Sequence, residues 1–358
     1  MTTMALRSRS GGPILSICIP TFNRARLLEC SLLALAPQLK ATNGLVELIV
    51  SDNCSTDDTA EVVGRAQRLG PIRYHRNKEN LGPAGNFLVL TNELASGQFA
   101  WIIGDDDLIR IDGVARVLKT LQEHPEVDYV FVNLTTRLAS ERKNDLASDD
   151  SVNLLPTKCA DLSEHVVQKW EDLVDPRVDD VFLGAPMCSV FRLSVWKSYR
   201  LDLKAKGHYS TLEAVYPHGV ILGHTMMGRK AYYLGYPCLT TYYGAQEWLG
   251  YLPLIVTVIL QQLLDFYCAL GIDRQQVEKC RSLLLTYSRR PLQLMLLDHS
   301  TLGREFFSLH TFLWRNRYHP AEVCKILRSI LVIPVIRRLP PPVFRVLRLL
   351  RKRIRERT

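Results

Sequence analysis

The sequence predicts an α/β fold: a doubly wound, mostly parallel sheet with helices on both faces, followed by a helical C-terminal region. Two observations lead to this prediction. Short apolar runs alternate with segments of helical periodicity over the first 135 residues, in the order β-α-β-α-β-α-β. From residue 247 onward, long apolar stretches recur at helical spacing instead.

The alternating elements are recognised from their apolar pattern and their ends. A strand over residues 14–19 stops at a proline, and leucines at helical spacing follow over 24–39. A second strand over 46–50 leads into a polar loop in which Thr56 or Asp57 is expected to cap the next helix. The later elements are predicted as a strand over 72–75, a helix over 84–94 ended by Gly97, a strand over 99–103, a helix over 112–122 and a strand over 129–132.

The pattern becomes less regular after residue 135. Residues 136–180 are polar and acidic, which predicts a loop region with one helix around 163–174. A strand-like pattern covers 183–192, and a helical one covers 209–226. Two glutamines and an aspartate interrupt the apolar run 247–268, which favours a buried amphipathic helix over a membrane span. Further helices are expected over 277–299 and 305–333.

Composition excludes several classes of protein. The net charge of +9 is concentrated in residues 337–358, where nine basic residues stand against one glutamate, so the remainder is close to neutral. This argues against a nucleic-acid surface spread over the whole protein. The nine cysteines are scattered and form no C-x-x-C pair. A disulfide framework and a structural zinc site are therefore not expected, and a reducing compartment is.

Three adjacent aspartates, Asp105, Asp106 and Asp107, follow the apolar run 99–104. Carboxylates at a buried strand end repel one another, and burying one without a partner costs roughly several kcal/mol. A divalent cation, which prefers oxygen ligands, is the usual remedy. The alternative is a loop that caps a helix, where aspartate is also favoured.

Two other polar clusters, at residues 20–23 and 51–53, also follow predicted strands. In doubly wound sheets, ligands bind beyond the carboxyl ends of the strands. The three clusters are therefore expected to line one crevice.

These clusters resemble those of family 2 glycosyltransferases, which have the GT-A fold. The resemblance covers residues 14–135, a little over a third of the chain. Its motifs are Ser-Ile-Cys-Ile-Pro-Thr-Phe-Asn-Arg at 16–24, Ile-Val-Ser-Asp-Asn-Cys-Ser-Thr-Asp at 49–57, Asn-Leu-Gly-Pro-Ala-Gly-Asn at 80–86 and Ile-Ile-Gly-Asp-Asp-Asp at 102–107. Within the family, the last motif and the segment from Thr211 to Pro217-His218 are similar to abequosyltransferases of O-antigen assembly.

The resemblance implies a nucleoside-diphosphate sugar donor and a divalent metal, Mn²⁺ or Mg²⁺, that stabilises the leaving diphosphate. Asp106 matches the position that reaches the metal, with Asp107 beside it. Gly104 stands where the family often has its first aspartate, a departure from the pattern. The residues implied to bind the nucleotide are Pro20, Thr21, Phe22, Asn23, Arg24, Asp52, Asn80, Gly82 and Asp105.

Several of these residues also have plainer interpretations. Asp52 resembles the aspartate that accepts a hydrogen bond from the base, but it could simply cap its loop. Arg24 could face the diphosphate or solvent. Gly82 could serve only as a turn residue.

An inverting transfer also needs a base for the acceptor hydroxyl, and the family supplies it from a Glu-Asp pair that this chain lacks. His218 is the expected base, with Glu213 as the alternative and Asp179 or Asp180 as more distant candidates. His218 could instead be a core or phosphate-contacting histidine.

The tail 337–358 alternates apolar residues and arginines after three prolines, a pattern typical of a basic helix on an anionic membrane surface. A contact with nucleic acid and a merely solvated or disordered tail are the alternatives for this segment. The expected protein is cytoplasmic and peripheral on the inner membrane, without nucleic acid as partner. The family resemblance implies a lipid-linked saccharide as acceptor. The expected parts are an N-terminal extension (1–13), a GT-A domain (14–240) with nucleotide-binding (14–135) and acceptor (136–240) halves, a helical region (241–336) and the tail.

Two other functions stay open. A catalytically inactive module that binds a sugar nucleotide would keep the same pocket. A nucleotidyltransferase would also use carboxylate-bound metal, but no glycine-rich phosphate loop follows the first strand. A dehydrogenase is disfavoured because Pro-Thr-Phe-Asn-Arg replaces the G-x-G-x-x-G turn.

Overall fold

The structure, a computed structural model, describes residues 11–138, 158–203, 209, 211–244 and 246–337. Its residues group into two compact units. One is drawn from Met1–Leu249 and Gln262–Cys280, and the other from Gly250–Gln261 and Arg281–Thr358. The predicted basic tail lies almost wholly outside the described residues.

The first unit is built on a nine-stranded sheet. Eight strands follow the order β3-β2-β1-β4-β8-β6-β9-β5, and β7 pairs with β9. The strands are β1 (Leu15–Thr21), β2 (Val46–Asp52), β3 (Ile72–Arg76), β4 (Phe99–Ile102), β5 (Leu108–Ile109), β6 (Tyr129–Leu138), β7 (Glu164–Val167), β8 (Ser189–Arg192) and β9 (Ala231–Tyr243).

The sheet is mixed but mostly parallel. Strands β1 to β4, β6 and β9 point the same way, while β5, β7 and β8 run against them. The prediction of a mostly parallel sheet is therefore confirmed. The reversed strand β8, which separates β4 from β6, was not predicted.

Thirteen α-helices are assigned in the described part of the chain: α1 (Ala25–Lys40), α2 (Thr59–Ala66), α3 (Gly82–Val89), α4 (Gly113–Glu123), α5 (Leu193–Trp196), α6 (Leu212–Val215), α7 (Pro217–Met226), α8 (Leu252–Leu254), α9 (Leu260–Ala269), α10 (Arg274–Tyr287), α11 (Arg289–Leu297), α12 (Leu309–Arg315) and α13 (Pro320–Arg337). Single π turns follow α3 and α8, over Leu90–Leu94 and Ile255–Ile259.

The connections reverse direction at β1. The chain moves from β1 to β2 and then β3, and afterwards returns to the other side of β1 as β4. Because such crossovers are right-handed, α1 and α2 cover one face and α3 covers the other. A crevice opens beyond the carboxyl ends of the two strands where the order reverses. Thr21 ends β1 there, and Asp105 follows β4.

The central strands are buried on both faces, which explains their nearly continuous apolar sequence. In β1 and β4, Ile17 and Trp101 are fully buried. The register pairs Thr21 with Asp52 on the neighbouring strand, so the ends of β1 and β2 are level. The sheet therefore brings the first two polar clusters side by side.

Some predicted elements are wrong in detail. Helix α2 begins at Thr59, two residues after Asp57. The carboxylate of Asp57 accepts the N–H of Thr59 at 3.2 Å, as a capping residue does, and also accepts the N–H of Ala25. The predicted helix around 163–174 is instead strand β7 followed by a single 3-10 turn, Trp170–Leu173. Strand pairing with β9 overrides the local helical pattern there.

Three other expectations also change. Gly97 does not end a helix: a Cβ there would lie 2.8 Å from the backbone nitrogen of Ser16, so close packing explains the glycine. The helical pattern over 209–226 is split into α6 and α7, since Pro217 lacks an N–H and starts a new helix. The strand predicted over 183–192 is confined to β8.

In the second unit, helices α11, α12 and α13 contribute to one apolar cluster. Its buried members are Leu285, Leu292, Phe312, Val323, Ile326 and Ile330. One helical stretch, Trp248–Ala269, is long and apolar enough to cross a membrane, but 67% of its most apolar window is buried. That burial agrees with the prediction of a core helix.

Candidate functional site

The aspartate triplet lies at the reversal point of the sheet and is held by the end of β1. Asp105, Asp106 and Asp107 are all buried, at 3%, 7% and 1% exposure. The Thr21 hydroxyl donates to Asp105 Oδ2 at 2.8 Å. The guanidinium of Arg24 bridges two carboxylates, with Nη1 2.7 Å from Asp105 Oδ1 and Nη2 2.7 Å from Asp106 Oδ2. Arg24 therefore faces the triplet and not bulk solvent.

The backbone of the triplet forms a tight turn. The N–H of Gly104 donates to Asp107 Oδ2 at 2.8 Å. From α1, the Ser31 hydroxyl lies 2.8 Å from the carbonyl oxygens of both Asp105 and Asp107. A Cβ on Gly104 would lie 2.6 Å from Asp106 Oδ1. A side chain at 104 would therefore require the Asp106 carboxylate to move.

The triplet concentrates negative charge in a buried place. Burial raises the pKa of Asp105 to about 7; Arg24 opposes this shift, and the carboxylates of Asp106 and Asp107 add to it. The guanidinium of Arg24 contacts the carboxylates of Asp105 and Asp106. The site has the electrostatic character of a cation site.

The donor set fits a cation shared with a ligand better than an all-protein cage. No group of three or more His, Cys, Asp or Glu side chains that could hold a metal ion is found in the part of the chain that the structure describes. Mg²⁺ is typically bound through one or two carboxylates together with substrate phosphates and water. Asp106 and Asp107 suffice for such a partial site.

Asp52 is buried at the end of β2. Its Oδ1 accepts a hydrogen bond from the N–H of Ser55 at 2.8 Å, and its Oδ2 accepts one from the Tyr74 hydroxyl at 2.6 Å. Arg76 Nε lies 3.5 Å from Oδ2. Asp52 is 1% exposed. It therefore caps its loop, as the plainer interpretation expected, and is also oriented by a neighbouring strand.

Sequence reasoning missed Tyr74 and Arg76, both on β3. The available signal was the parallel pairing of β2 with β3, which sets Asp52 beside Arg76 and Val50 beside Tyr74. Recognising it requires the strand register, which a single sequence does not fix.

The loops after β1 and β2 are tied together by Asn23. Its backbone is left-handed, with φ +53°, a conformation that asparagine tolerates. Its N–H donates to Ser55 Oγ at 2.8 Å, and its Oδ1 accepts the N–H of Thr56 at 2.7 Å. Phe22 is half-buried beside it, and Pro20 pairs with Ser51 in the strand register. The predicted nucleotide segment 20–23 thus lies against the Asp52 loop.

A network of amides supports the third predicted segment. Asn53 Nδ2 donates to Asn80 Oδ1 at 2.7 Å, and Asn77 Nδ2 donates to Asn53 Oδ1 at 3.1 Å and to Asn86 Oδ1 at 3.0 Å. Gly82 has φ +74°, which favours glycine. The predicted residues Asn80 and Gly82 are therefore brought to the Asp52 loop, while Asn77 and Asn86 were missed.

The two predicted bases are placed differently. His218, in α7, is 2% exposed, with its ring 5.8 Å from those of Phe87 and Tyr216. Burial lowers its pKa to about 4, and Nε2 has no hydrogen-bond partner among the described residues. His218 is therefore neutral at pH 7 and a weaker base than an exposed histidine. Glu213, in α6, is half-buried.

The more distant carboxylates lie on the loop before β8. Asp179 is 1% exposed; it accepts the N–H groups of Val181 and Leu183 and pairs with Lys158 Nζ at 2.9 Å. Its oxygens are occupied, so it has a structural role. Asp180 also contacts Lys158, with a side chain that is 52% exposed. Because β8 runs against β4, this loop borders the same edge of the sheet as the triplet.

The chain is similar to known glycosyltransferases in sequence. Residues 16–168 match the family described as glycosyl transferase family 2. Over 109 residues the chain is 43% identical to the abequosyltransferase RfbV of Salmonella typhimurium, covering 30% of this chain and 32% of that protein. Over 124 residues it is 36% identical to the GalNAc(5)-diNAcBac-PP-undecaprenol beta-1,3-glucosyltransferase of Campylobacter jejuni, covering 34% and 37%.

The matched segments span about a third of the length of these curated relatives. Among solved structures, S. aureus TarS 1-349 in complex with UDP-GlcNAc is similar, with a TM-score of 0.56 and 15% identity over 84% of this chain and 81% of that one. The mannosyltransferase PcManGT from Pyrobaculum calidifontis, in complex with GDP-Man and Mn²⁺, gives a TM-score of 0.50 and 14% identity over 90% and 85%. At these identities the likeness shows the fold alone, which is of the GT-A type.

Proposed function

We propose that this protein is a metal-dependent inverting glycosyltransferase. Its residues 16–168 match the glycosyl transferase family 2 domain. It moves a sugar from a nucleoside-diphosphate donor to a saccharide acceptor. The observation that carries the proposal is the buried triplet 105–107 at the sheet's reversal point, beside the pocket of Asp52.

The nucleotide is proposed to lie across the ends of β1 and β2. Asp52, held by Ser55 and Tyr74, offers an oriented carboxylate to an N–H of the base. Phe22 provides a half-buried ring for the base or ribose, since aromatic faces stack on such groups. Asn80 and Gly82 shape the far side of this pocket through the amide network.

The diphosphate is proposed to lie over the triplet. Asp106 and Asp107 would hold a Mn²⁺ or Mg²⁺ ion, which neutralises charge on the leaving diphosphate. Arg24 is placed to turn from the carboxylates to a phosphate oxygen, because its guanidinium presents several donors in one plane. Asp105 accepts a hydrogen bond from the Thr21 hydroxyl and pairs with Arg24, and so holds the triplet against the end of β1.

The acceptor hydroxyl must lose its proton as it attacks the sugar carbon. His218 stays the proposed base and Glu213 the alternative, with Asp180 as the exposed carboxylate of the bordering loop. His218 Nε2 is free of protein partners among the described residues, so it retains a lone pair or a proton for a ligand. The burial of His218 lowers its pKa to about 4, which makes it a weaker base for the acceptor hydroxyl.

A lipid-linked saccharide is the proposed acceptor, in cell-surface polysaccharide or O-antigen synthesis. In support, one relative is named an abequosyltransferase, and another name contains a PP-undecaprenol-linked saccharide. Such an acceptor implies an enzyme at the cytoplasmic face of the membrane. The basic tail 337–358 is the proposed membrane contact from sequence.

Turnover of sugar nucleotides tests the proposal directly. A panel of UDP-, GDP-, CDP- and dTDP-sugars is incubated with Mn²⁺, Mg²⁺ or chelator, and release of nucleoside diphosphate is measured. Asp106→Asn is expected to reduce metal-dependent release by about 10²- to 10³-fold, as the loss of a transition-state contact does. Glu123→Gln, an exposed carboxylate on α4, is the matched control and should be unchanged.

Full activity of Asp106→Asn would exclude the metal assignment. Binding of a sugar nucleotide without turnover, even with lipid-linked acceptors, would instead identify a catalytically inactive binding module. Pyrophosphate release from a nucleoside triphosphate would identify a nucleotidyltransferase.

A further inference from the structure

The segment 302–318 of the second unit carries an unusual concentration of exposed apolar side chains. Of the fourteen large hydrophobic residues that are exposed in the described ranges, six lie within these 17 residues. They are Leu302, Phe306, Leu309, Leu313, Trp314 and Tyr318. Trp314 is 62% exposed and Tyr318 is 50% exposed. We refer to these six residues as the 302–318 surface.

The surface is displayed by an ordered element and not by a frayed end. Phe312 of α12 is 1% exposed and belongs to the apolar cluster of this unit. Ser308 caps α12 by accepting the N–H of Thr311 at 3.3 Å. Leu309 and Leu313 are four residues apart and so lie on one side of the helix. The helix is therefore anchored on Phe312, while Leu309, Leu313 and Trp314 are exposed.

Basic residues accompany the apolar ones. Arg304, Arg315 and Arg317 stand against Glu305 alone, giving the segment a net charge of +2. The guanidinium of Arg317 lies 4.4 Å from the centre of the Trp314 ring and 4.5 Å from that of Tyr318. Its Nη1 also donates to the carbonyl oxygen of Trp314 at 2.8 Å. A fixed positive charge thus sits between two exposed aromatic rings.

We propose that the 302–318 surface docks onto an anionic lipid membrane. Leucine and phenylalanine side chains would enter the acyl boundary, where burying apolar area is favourable. Tryptophan and tyrosine are enriched at the level of the headgroups, where an apolar ring meets a polar layer. The arginines would meet anionic headgroups.

Charge distinguishes this occupant from two others. A second copy of the chain would bring one net positive surface against another, and like charges oppose such pairing. The chain's own tail, residues 337–358, carries a net charge of +8 and would be repelled in the same way. An anionic lipid surface satisfies both the apolar and the basic side chains.

The inference goes beyond the proposed transferase activity and does not depend on it. It also differs from the predicted role of the tail, because it concerns residues within the folded second unit. Membrane binding can be measured without substrate, so its failure leaves the proposed activity untouched.

Tryptophan quenching in the full chain tests the docking. Vesicles of phosphatidylcholine and phosphatidylglycerol carry brominated acyl chains that quench nearby indoles. Of the other four tryptophans, Trp101, Trp170 and Trp196 are fully buried and Trp248 is half-buried. The difference between the wild type and Trp314→Phe isolates the signal of Trp314 from that of Trp248. Quenching that disappears in Trp314→Phe is expected. Absence of this Trp314-dependent quenching would overturn the proposal.

Vesicle sedimentation then measures the contribution of the surface. The triple variant Leu313→Ser, Trp314→Ser, Tyr318→Ser is expected to lose at least about ten-fold of its partitioning. Arg317→Gln should lose about five-fold on anionic vesicles and nothing on phosphatidylcholine alone. Leu33→Ser and Leu69→Ser, exposed at 45% and 41% in the first unit, are matched controls and should bind normally.

Three results would contradict the proposal. If the triple variant partitions onto vesicles as the wild type does, the 302–318 surface is not the membrane-docking site. Self-association without vesicles that the triple variant abolishes would identify a second copy as the occupant. Loss of binding only when Arg351, Lys352, Arg353 and Arg355 are replaced by Gln would assign docking to the tail. If the triple variant has a lower melting temperature than the wild type, its sedimentation result is set aside. The Trp314-dependent quenching then decides whether the 302–318 surface docks onto the membrane.

Discussion

Arg24 is the residue on which the electrostatics of the candidate site depend. Its guanidinium contacts Asp105 and Asp106, both at 2.7 Å, and retains 19% exposure. A cation bound at Asp106 would compete with it for the same oxygen. On the proposed function, Arg24 stabilises the metal-free protein and would be released when metal and diphosphate bind.

Arg24→Gln should lower the stability of the metal-free protein by about 3 kcal/mol, the lower end for breaking a buried ion pair, because Arg24 keeps some solvent contact. Added Mn²⁺ should then raise the melting temperature more in the variant than in the wild type, since the freed carboxylates bind the ion without competition. Thermal melts over a Mn²⁺ titration measure both effects.

Arg26→Gln, an exposed neighbour on α1, is the control for this prediction and should melt like the wild type. Equal Mn²⁺-induced shifts in Arg24→Gln and the wild type would show that Arg24 and the metal do not compete.

His218 gives a prediction for pH dependence. Its folded-state pKa is about 4, below its ordinary value of 6.5, because of burial. Between these values the unfolded chain binds a proton that the folded chain does not, so stability rises with pH. The contribution is complete above about pH 6.5 and is lost toward pH 4, amounting to about 3 kcal/mol. Urea unfolding at pH 4.5, 5.5 and 7 should show this loss.

The comparison with His218→Gln isolates the effect, because other groups also titrate in this range. The variant should lose less stability on acidification than the wild type, whereas His299→Gln, at an exposed position, should follow the wild type. Parallel pH curves for His218→Gln and the wild type would contradict the buried neutral state.

At the scale of elements, the loop before β8 carries two consecutive non-glycine residues with positive φ. Phe182 and Leu183 are consecutive and both left-handed, with φ of +56° and +64°. Such conformations cost roughly 1–3 kcal/mol each and persist only where the surroundings impose them. The Asp179 carboxylate imposes them by accepting the N–H groups of Val181 and Leu183. The loop is thereby fixed at the edge that carries the triplet.

Asp179→Asn should therefore destabilise the protein strongly, by about 3–5 kcal/mol, because Lys158 would be left without its buried partner. Asp180→Asn removes a 52% exposed carboxylate from the same lysine and should cost about 1 kcal/mol or less. Urea unfolding of the two variants measures the difference. Similar losses would show that the loop is not held by Asp179.

At the scale of the whole molecule, the mostly parallel sheet confirms the α/β prediction. The reactivity of the cysteines offers a test of how the core is packed. All nine cysteines lie in the described part of the chain and none forms a disulfide; five are buried, Cys30 and Cys54 are half-buried, and Cys268 and Cys324 are exposed. Burial raises the pKa of Cys159 to about 11, so it is a poor nucleophile as well as an inaccessible one.

Alkylation of the native protein should modify Cys268 and Cys324 first, and the five buried cysteines only after denaturation. Mass spectrometry of digested protein reports each site. The melting temperature should be the same with and without reductant. Rapid native modification of Cys18 or Cys238 would contradict the proposed packing, since both are fully buried.

The sequence by itself determined the framework. Short apolar runs predicted strands β1, β2 and β4 closely, because burial on both faces requires a nearly continuous apolar sequence. Three polar clusters at strand ends predicted one crevice. Asp105 contacts Thr21 and also Arg24, whose position the sequence left open, and Asp52 lies on the adjacent strand in register with Thr21.

Only the tertiary structure decided the rest, because it depends on register and long-range pairing. Tyr74 reaches Asp52 through the alignment of β2 and β3, and β8 enters between β4 and β6 in reverse. The burial of His218 follows from the packing of α7, not from its neighbours in sequence. A residue's type and spacing set what chemistry it can perform; its partners and exposure, which set its pKa and reach, are fixed only when distant segments meet.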